Sequence, residues 1–204
     1  MRIVGGSLRG RRFRPAIGSG TRPTSERVRE ALASALQARE LIAGRVVLDL
    51  YAGTGALAFE ALSRGAERAL LVERDRSMVK GLRRSIAELG LKERATVLPL
   101  DLARKGAAAK IAASALAPFD LVFADPPYAR SADLPALFAA LAAAGALAEE
   151  AALVVEHASS DALALETQTD GLRVAPIAAY RYGDTAIQVM RAETGPASAQ
   201  TGPS

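Results

Sequence analysis

The sequence predicts an α/β fold, a doubly wound Rossmann-like domain with a mostly parallel seven-stranded sheet. The first observation is that, from Arg45 onward, short apolar runs alternate with segments of helical periodicity. The second is that the early runs are almost continuously apolar, as in parallel strands covered on both faces. The third is that no helical segment separates the last two runs. This predicts an antiparallel hairpin at the C-terminal edge.

The elements of this domain follow one another in regular order. Strands are predicted at Val46–Leu50, Ala69–Glu73, Thr96–Leu100, Leu121–Ala124, Leu153–Glu156, Leu172–Ile177 and Ala186–Met190. Helices are predicted between the first five, at Ala56–Arg64, Ser77–Leu89, Ala103–Ala115 and Leu134–Ala148, the last with a break at Gly145. The connection of the final hairpin is expected at residues 180–184.

The start and the end of the chain differ from this pattern. A glycine-rich basic stretch at the start is expected to form a short hairpin. Thr24 or Ser25 is placed to cap a helix that runs to about Ala38 and has one apolar face. The last residues are rich in Gly, Pro, Ser and Ala without periodicity. We therefore expect an N-terminal extension at 1–44, the main domain at 45–191 and a disordered tail at 192–204.

Positive charge is concentrated at the N-terminus. Residues 1–29 contain eight arginines and one acidic residue, a net charge of +7, whereas the whole chain carries +4. Codon usage can favour arginine over lysine, but it cannot cluster charge. The clustering therefore predicts a nucleic acid partner for this segment. The arginines expected to contact it are Arg9, Arg11, Arg12, Arg14 and Arg22.

Composition excludes several other kinds of chemistry. The chain has no cysteine, which excludes disulfides and thiolate chemistry, and its single histidine, His157, makes a zinc site unexpected. We expect no metal and a structural role for His157. No signal peptide follows the first arginine, and the longest uncharged stretch falls short of the roughly 20 residues that a bilayer requires. A cytoplasmic, monomeric protein is expected.

A strand, a glycine loop and a helix start follow one another at residues 46–58. The spacing Gly53-x-Gly55-x-x-Ala58 fits the dinucleotide fingerprint, and Glu73 lies 20 residues after Gly53 at the end of the next strand. The glycines let the backbone pass close to a ligand, and Glu73 can accept hydrogen bonds from two ribose hydroxyls. Nicotinamide dehydrogenases and S-adenosylmethionine (AdoMet)-dependent methyltransferases share this layout.

Asp49 distinguishes between these two classes. A carboxylate at the end of the first strand would repel a pyrophosphate, whereas the ammonium and sulfonium of AdoMet attract it. Asp101 follows the third strand and is placed to accept a hydrogen bond from the adenine N6 amine, with Leu102 against the ring. As a lone residue Asp101 would otherwise be a helix cap. The remaining expected cofactor contacts are Tyr51, Ala52 and Arg74.

A tetrapeptide of unusual chemistry follows the fourth predicted strand. The Asp125 carboxylate and the Pro126 carbonyl offer two acceptors for the two N–H bonds of an exocyclic amine. Pro127 restricts the backbone and holds them stiffly. Tyr128 offers a face on which a planar ring can stack. A strand followed by a simple Pro-Pro turn would give the same four residues without any function.

Together these motifs resemble the RsmD family of class I AdoMet-dependent methyltransferases, over about residues 2–191. The resemblance rests on Arg2-Ile3-Val4-Gly5-Gly6, Thr21-Arg22-Pro23-Thr24, Asp49-Leu50-Tyr51-Ala52-Gly53-Thr54-Gly55, Asp125-Pro126-Pro127-Tyr128, Val155-Glu156-His157 and Arg181-Tyr182-Gly183-Asp184. It implies a methyltransferase fold and methyl transfer from AdoMet, with S-adenosyl-L-homocysteine as product. The implied acceptor is the N2 of a guanine in bacterial 16S rRNA, within the 30S subunit or an assembly intermediate.

Three other functions use parts of the same pattern. A DNA adenine-N6 methyltransferase can use the same tetrapeptide, but the chain has no room for a large target-recognition region. A nicotinamide-dependent oxidoreductase is opposed by Asp49 and has no use for the tetrapeptide. A non-catalytic RNA-binding module would not need a complete cofactor pocket.

Overall fold

A computed structural model describes residues 1–15, 25–158, 168–169, 172–183 and 185–194. The helices in these ranges are α1 Glu26–Gln37, α2 Ala56–Ser63, α3 Arg76–Leu89, α4 Ala107–Ala112 and α5 Leu134–Ala143, with a 3₁₀ helix at Tyr128–Asp133. The strands are β1 Val46–Leu50, β2 Arg68–Glu73, β3 Ala95–Pro99, β4 Phe119–Ala124, β5 Leu147–Ala158, β6 Gln168–Thr169, β7 Leu172–Tyr182 and β8 Thr185–Thr194.

The eight strands of the described ranges form one sheet, in the order β3-β2-β1-β4-β5-β8-β7-β6. The five strands β1 to β5 are parallel, and β8 and β7 join antiparallel beside β5. The predicted doubly wound fold with its antiparallel C-terminal hairpin is therefore confirmed. The two-residue β6 adds an eighth strand to the seven predicted. None of the helices in the described ranges has the length and apolarity of a membrane span.

Two apolar layers sandwich the sheet and fix the positions of its strand ends. One layer contains the N-terminal residues Ile3 and Phe13 together with side chains of α1, α2 and α3. The other contains side chains of α4 and α5. The inner strands β1, β2 and β4 are buried along nearly their whole length, as their continuous apolar sequences predict.

Several predicted boundaries are wrong, and glycines explain two of them. The helix predicted at Ala103–Ala115 is shorter in the structure. Gly106, with φ +83°, is its N-cap, so α4 begins only at Ala107 and ends at Ala112. The helix predicted at Leu134–Ala148 ends at Ala143, and β5 already begins at Leu147, after Gly145 with φ +72°. An alanine-rich apolar stretch has no periodicity that separates the end of a helix from the start of a buried strand.

The C-terminal hairpin is longer than predicted. β7 extends through Tyr182 and β8 through Thr194, so Tyr180–Tyr182 lie in a strand, and residues 192–194 belong to the sheet and not to a tail. Ser25 is the helix cap, with its Oγ accepting from Val28 N–H at 3.3 Å. Thr24, Asp184 and the predicted tail at 195–204 lie outside the described residues.

The predicted N-terminal hairpin is present. Arg2 and Arg12 form an antiparallel bridge, and Ile3 N–H donates to the Arg11 carbonyl at 3.0 Å. The hairpin is seated on the end of α2 by Gly6, which has φ +74° and passes so close to the Ser63 carbonyl that a Cβ would lie 2.0 Å from its oxygen. Only glycine fits this contact.

Candidate active site

The predicted cofactor and substrate residues meet at one edge of the sheet. The carboxyl ends of β3, β2, β1 and β4 lie side by side, with Glu73 paired to Pro99, and Leu50 paired to both Val72 and Ala124. From β1 the chain continues to β2, which lies on one side of β1, whereas β4 lies on the other side. This is the topological switch point at which doubly wound proteins bind ligands.

The glycine loop after β1 is held in a conformation that few side chains permit. Tyr51, Gly53 and Gly55 have φ values of +59°, +53° and +76°. A Cβ at Gly55 would lie 2.7 Å from atoms of both Phe59 and Leu82, so the loop packs tightly on α2 and α3. The Tyr51 backbone is strained for a residue with a side chain, as is common at ligand sites.

Glu73 holds this loop in place. Its Oε2 accepts from Gly53 N–H at 3.0 Å, and its Oε1 accepts from the N–H groups of Arg74 and Asp75 at 2.7 and 2.8 Å. A carboxylate has about four acceptor positions, and three are occupied here. The sequence predicts two ribose hydroxyls at Glu73, but the structure leaves an acceptor position for about one.

Asp49 is a buried carboxyl group with few partners. Its side chain is buried, and its Oδ2 accepts from Ala58 N–H at 3.3 Å. Burial raises the pKa of Asp49 to about 8, and the Asp125 and Glu73 carboxylates act in the same direction. Within the described residues no cation pairs with Asp49, and a buried carboxyl group without a counter-charge favours a positively charged ligand beside it.

Asp101 and Leu102 lie beyond β3 as predicted. One Asp101 oxygen accepts from Ala103 N–H at 3.1 Å, and the other lies 3.8 Å from the Arg74 guanidinium. Asp101 is therefore partly a turn cap, yet its side chain is one-third exposed. Leu102 is half-buried against the apolar layer of α4 and α5.

The Asp125-Pro126 acceptors face the same edge. Asp125 directly follows β4, and Pro126 is buried while Asp125 keeps contact with solvent. The pKa of Asp125 is raised to about 7, mainly by partial desolvation and to a lesser degree by the Glu156 carboxylate. Within the described part of the chain, neither the Asp125 carboxylate nor the Pro126 carbonyl accepts a hydrogen bond. Pro127 is extended at ψ 139°, and the Tyr128 side chain lies outside the described atoms.

The N-terminal arginines divide into two groups. Arg9 and Arg12 are exposed. The Arg11 guanidinium, by contrast, donates to the Glu88 and Leu89 carbonyls at the end of α3, at 2.6 and 3.0 Å, and Arg14 accepts from Arg84 through its backbone. Arg11 therefore attaches the hairpin to the domain, and Arg22 lies outside the described residues.

Sequence reasoning missed a buried polar cluster under the hairpin. The Glu60 carboxylate is almost fully buried and accepts from the N–H groups of Val4 and Gly5, at 2.5 and 3.3 Å. Arg29, also buried, lies 3.4 Å from Glu60 and donates to the Arg2 carbonyl at 3.2 Å. An acidic residue among the apolar residues of α2 was the available signal.

Replacing Asp49 with Asn should change stability in a pH-dependent way. Because burial raises the folded-state pKa above the ordinary value of 3.8 to about 8, the stability that protonated Asp49 provides is lost as pH rises between these values. Without cofactor, Asp49→Asn should therefore be more stable than wild type at about pH 8, by a few kcal/mol, and close to it near pH 4.

Urea unfolding across this pH range tests the expectation. Asp133 provides the matched control. Its side chain is exposed, so Asp133→Asn removes the same charge from a carboxyl group that is not buried. A stability difference for Asp49→Asn that does not grow with pH would contradict the interpretation of this carboxyl group.

The chain was compared with known proteins. The family model described as "Conserved hypothetical protein 95" matches residues 1–191. Ribosomal RNA small subunit methyltransferase D of Escherichia coli K12 is 38% identical over 159 residues, which cover 76% of this chain and 74% of that protein. A solved structure of the putative methyltransferase yhhF from Escherichia coli superposes with a TM-score of 0.75, at 32% identity over 96% of this chain and 99% of that one.

A more distant structure contains a ligand. An RNA methyltransferase from Salinibacter ruber, solved with S-adenosyl-L-homocysteine, superposes with a TM-score of 0.56 over 89% of this chain and 97% of that one. At 18% identity this likeness concerns the fold alone.

The sheet topology, the glycine loop at the switch point and the buried Asp49 define the molecule as a class I AdoMet-dependent methyltransferase. The chain belongs to the family described as conserved hypothetical protein 95, and its resemblance to the RsmD enzymes is thereby confirmed. The residues present fit the cofactor: the glycine loop lets a ligand approach its backbone closely, and Asp49 has no cationic partner among the described residues.

Proposed function

We propose that this methyltransferase transfers a methyl group from AdoMet to the exocyclic N2 of a guanine in 16S rRNA. The observation that carries the proposal is the pair of acceptors, the Asp125 carboxylate and the Pro126 carbonyl, which accept nothing within the described part of the chain. They follow β4, immediately beside the glycine loop of β1. The rRNA substrate rests on the relative named ribosomal RNA small subunit methyltransferase D.

Each residue of the cofactor edge has a proposed task. Asp49 would hold the ammonium and sulfonium end of the cofactor, and Glu73 would accept from one ribose hydroxyl. Asp101 would accept from the adenine amine, with Leu102 against the ring. Bound AdoMet supplies an electrophilic methyl group on sulfonium. The remaining work of the protein is to orient the nucleophile.

The acceptors orient the amine. The lone pair of guanine N2 is delocalised into the ring, so the amine is a weak nucleophile. Asp125 and Pro126 accept its two hydrogens, which directs the lone pair toward the methyl group and fixes a near-attack geometry. The raised pKa of Asp125 also makes this carboxylate a suitable acceptor for the proton that the amine loses as it is methylated.

The decisive experiment identifies the modified nucleoside. Purified protein, AdoMet and 16S rRNA or 30S subunits from a strain lacking the enzyme are incubated, and the rRNA is digested and analysed by mass spectrometry. N2-methylguanosine at one position is expected. N6-methyladenosine in the product would replace guanine by adenine as the substrate, and no methylation of either substrate would overturn the proposal.

The exposed arginines of the hairpin should contribute to RNA affinity. Arg9→Gln/Arg12→Gln should weaken binding to 16S rRNA and lower the slope of log affinity against log salt by about 2, because each lost phosphate contact removes about 1. Fluorescence anisotropy at several salt concentrations measures this slope. The control is Arg173→Gln/Arg191→Gln, which removes the same charge from arginines paired with Glu193 and Glu150. Equal slopes for both variants would contradict the expectation.

A further inference from the structure

One face of α3 presents uniform positive charge to solvent. Arg76, Lys80, Arg83 and Arg84 are all exposed, and Glu88, in the last turn, is the acidic residue of this helix. Within the described part of the chain none of these four cations lies in an ion pair, and Arg84 donates one hydrogen bond, to the Arg14 carbonyl. We call these four residues the basic face of α3.

This arrangement opposes the stability of the helix. Arg76 and Lys80, and Lys80 and Arg84, are four residues apart, so that like charges are neighbours on the helix surface. Arg76 is also the first residue of α3, where the helix dipole disfavours a cation, and the first turn contains no acidic residue. An ordinary solvated helix would mix its charges. Uniform charge without internal partners indicates an anion outside the chain.

The basic face connects two regions of the proposed RNA path. At its C-terminal end, Arg11 of the hairpin contacts the Glu88 and Leu89 carbonyls. At its N-terminal end, a cleft of about 680 Å³ opens beside Asp101, lined by four cations and two carboxylates. The cations are Arg74, Arg76, Arg104 and Lys110.

The two carboxylates of this cleft are already engaged. Asp75 caps α3 by accepting from the N–H groups of Ser77 and Met78, and Asp101 accepts from Ala103 and lies beside Arg74. The charge left for a ligand is therefore positive. The adenine ring expected at Asp101 is uncharged, so it leaves the net positive charge of this cleft without a matching anion.

We propose that the basic face of α3 and the cleft at its N-terminal end bind the phosphate backbone of the RNA substrate. A helix of 14 residues is about 21 Å long, enough to follow several phosphates from the hairpin to the cofactor edge. The inference rests on the proposed function, because it names a surface of the methyltransferase domain that binds the same RNA. The sequence had assigned RNA contact to the N-terminal arginines.

The test neutralises the three residues of the basic face that make no hydrogen bond or ion pair within the described part of the chain. Arg76→Gln/Lys80→Gln/Arg83→Gln is compared with Arg45→Gln/Arg173→Gln/Arg191→Gln, which removes three exposed arginines that are paired with carboxylates. Binding to in vitro transcribed 16S rRNA is measured by fluorescence anisotropy at several salt concentrations. AdoMet binding by calorimetry and thermal unfolding show that each variant remains folded with its cofactor pocket complete.

The α3 variant should lose at least about tenfold in RNA affinity near 0.1 M salt, and its salt slope should fall by about 2 to 3. The control should retain the wild-type slope more closely. Equal affinity and slope for the two variants would overturn the inference, as would wild-type binding without salt dependence. Methylation of 16S rRNA and of 30S subunits by the wild type, measured alongside, separates the two ideas. Its absence on both substrates rejects the proposed function, whereas methylation together with an unaffected α3 variant rejects only the inference about α3.

Discussion

Asp125→Ala should abolish methyl transfer while AdoMet binding survives. The carboxylate is one of two acceptors that orient the amine, and its removal leaves one N–H without a partner in the reacting geometry. Groups that act on the reacting atoms in this way are typically worth a hundredfold or more in rate. We expect turnover to fall at least about a hundredfold, measured as methyl transfer from labelled AdoMet to 16S rRNA.

The pH dependence of the rate provides a sharper measurement. Because the pKa of Asp125 is raised to about 7, the wild-type rate should increase with pH through this value, as the carboxylate becomes ionised. Desolvation is the larger cause of the raised pKa, and Glu156 is the second. Glu156→Gln should therefore move the inflection toward lower pH without removing it. Asp125→Asn should remove the inflection altogether.

Two results would contradict the role of Asp125. The first is retained turnover in Asp125→Ala. The second is an inflection near pH 7 that persists in Asp125→Asn, because another group would then be titrating. Calorimetric AdoMet binding is the control: an Asp125→Ala protein that no longer binds cofactor would have lost the pocket and not an acceptor.

The sequence predicted the positions of the proposed site residues in the fold more accurately than it predicted the element boundaries. Gly53, Gly55, Glu73 and Asp125 stand at strand ends, and parallel topology brings strand ends to one edge of the sheet, so their order along the chain fixes their neighbours in space. By contrast, the stretch around Gly145 contains mostly alanine and leucine, which suit a buried strand and a helix equally well.

The sequence could not show which group each charged side chain contacts in the folded protein. Arg9, Arg11 and Arg12 look equivalent in a basic segment, yet Arg11 is used to attach the hairpin to α3. The two residues lie 77 positions apart in the sequence, so no local pattern predicts this contact. The same holds for Glu73, whose acceptor positions are largely taken by the backbone of its own neighbourhood.

Glu60→Ala should cause the largest loss of stability of any change considered. Glu60 is 2% exposed and the Arg29 side chain is fully buried, so removing the carboxylate leaves a buried cation without its counter-charge. The backbone N–H groups of Val4 and Gly5 lose their acceptor in the same step. Breaking a buried ion pair in this way typically costs about 3–5 kcal/mol. For a chain of this length that corresponds to a fall in Tm of roughly 10 °C.

Calorimetry or urea unfolding measures the loss, with Glu193→Ala as the matched control. Glu193 also pairs with an arginine, Arg173, but both side chains are exposed, so the pair is worth less than about 1 kcal/mol. A Glu60→Ala protein that is no less stable than Glu193→Ala would show that the buried cluster does not hold the hairpin.

Hydrogen exchange at the Val4 and Gly5 amides then separates local from global loosening. These amides should exchange much faster in Glu60→Ala even under conditions where β1 and β4 remain protected, because they lose their acceptor while β1 and β4 keep their pairing in the sheet.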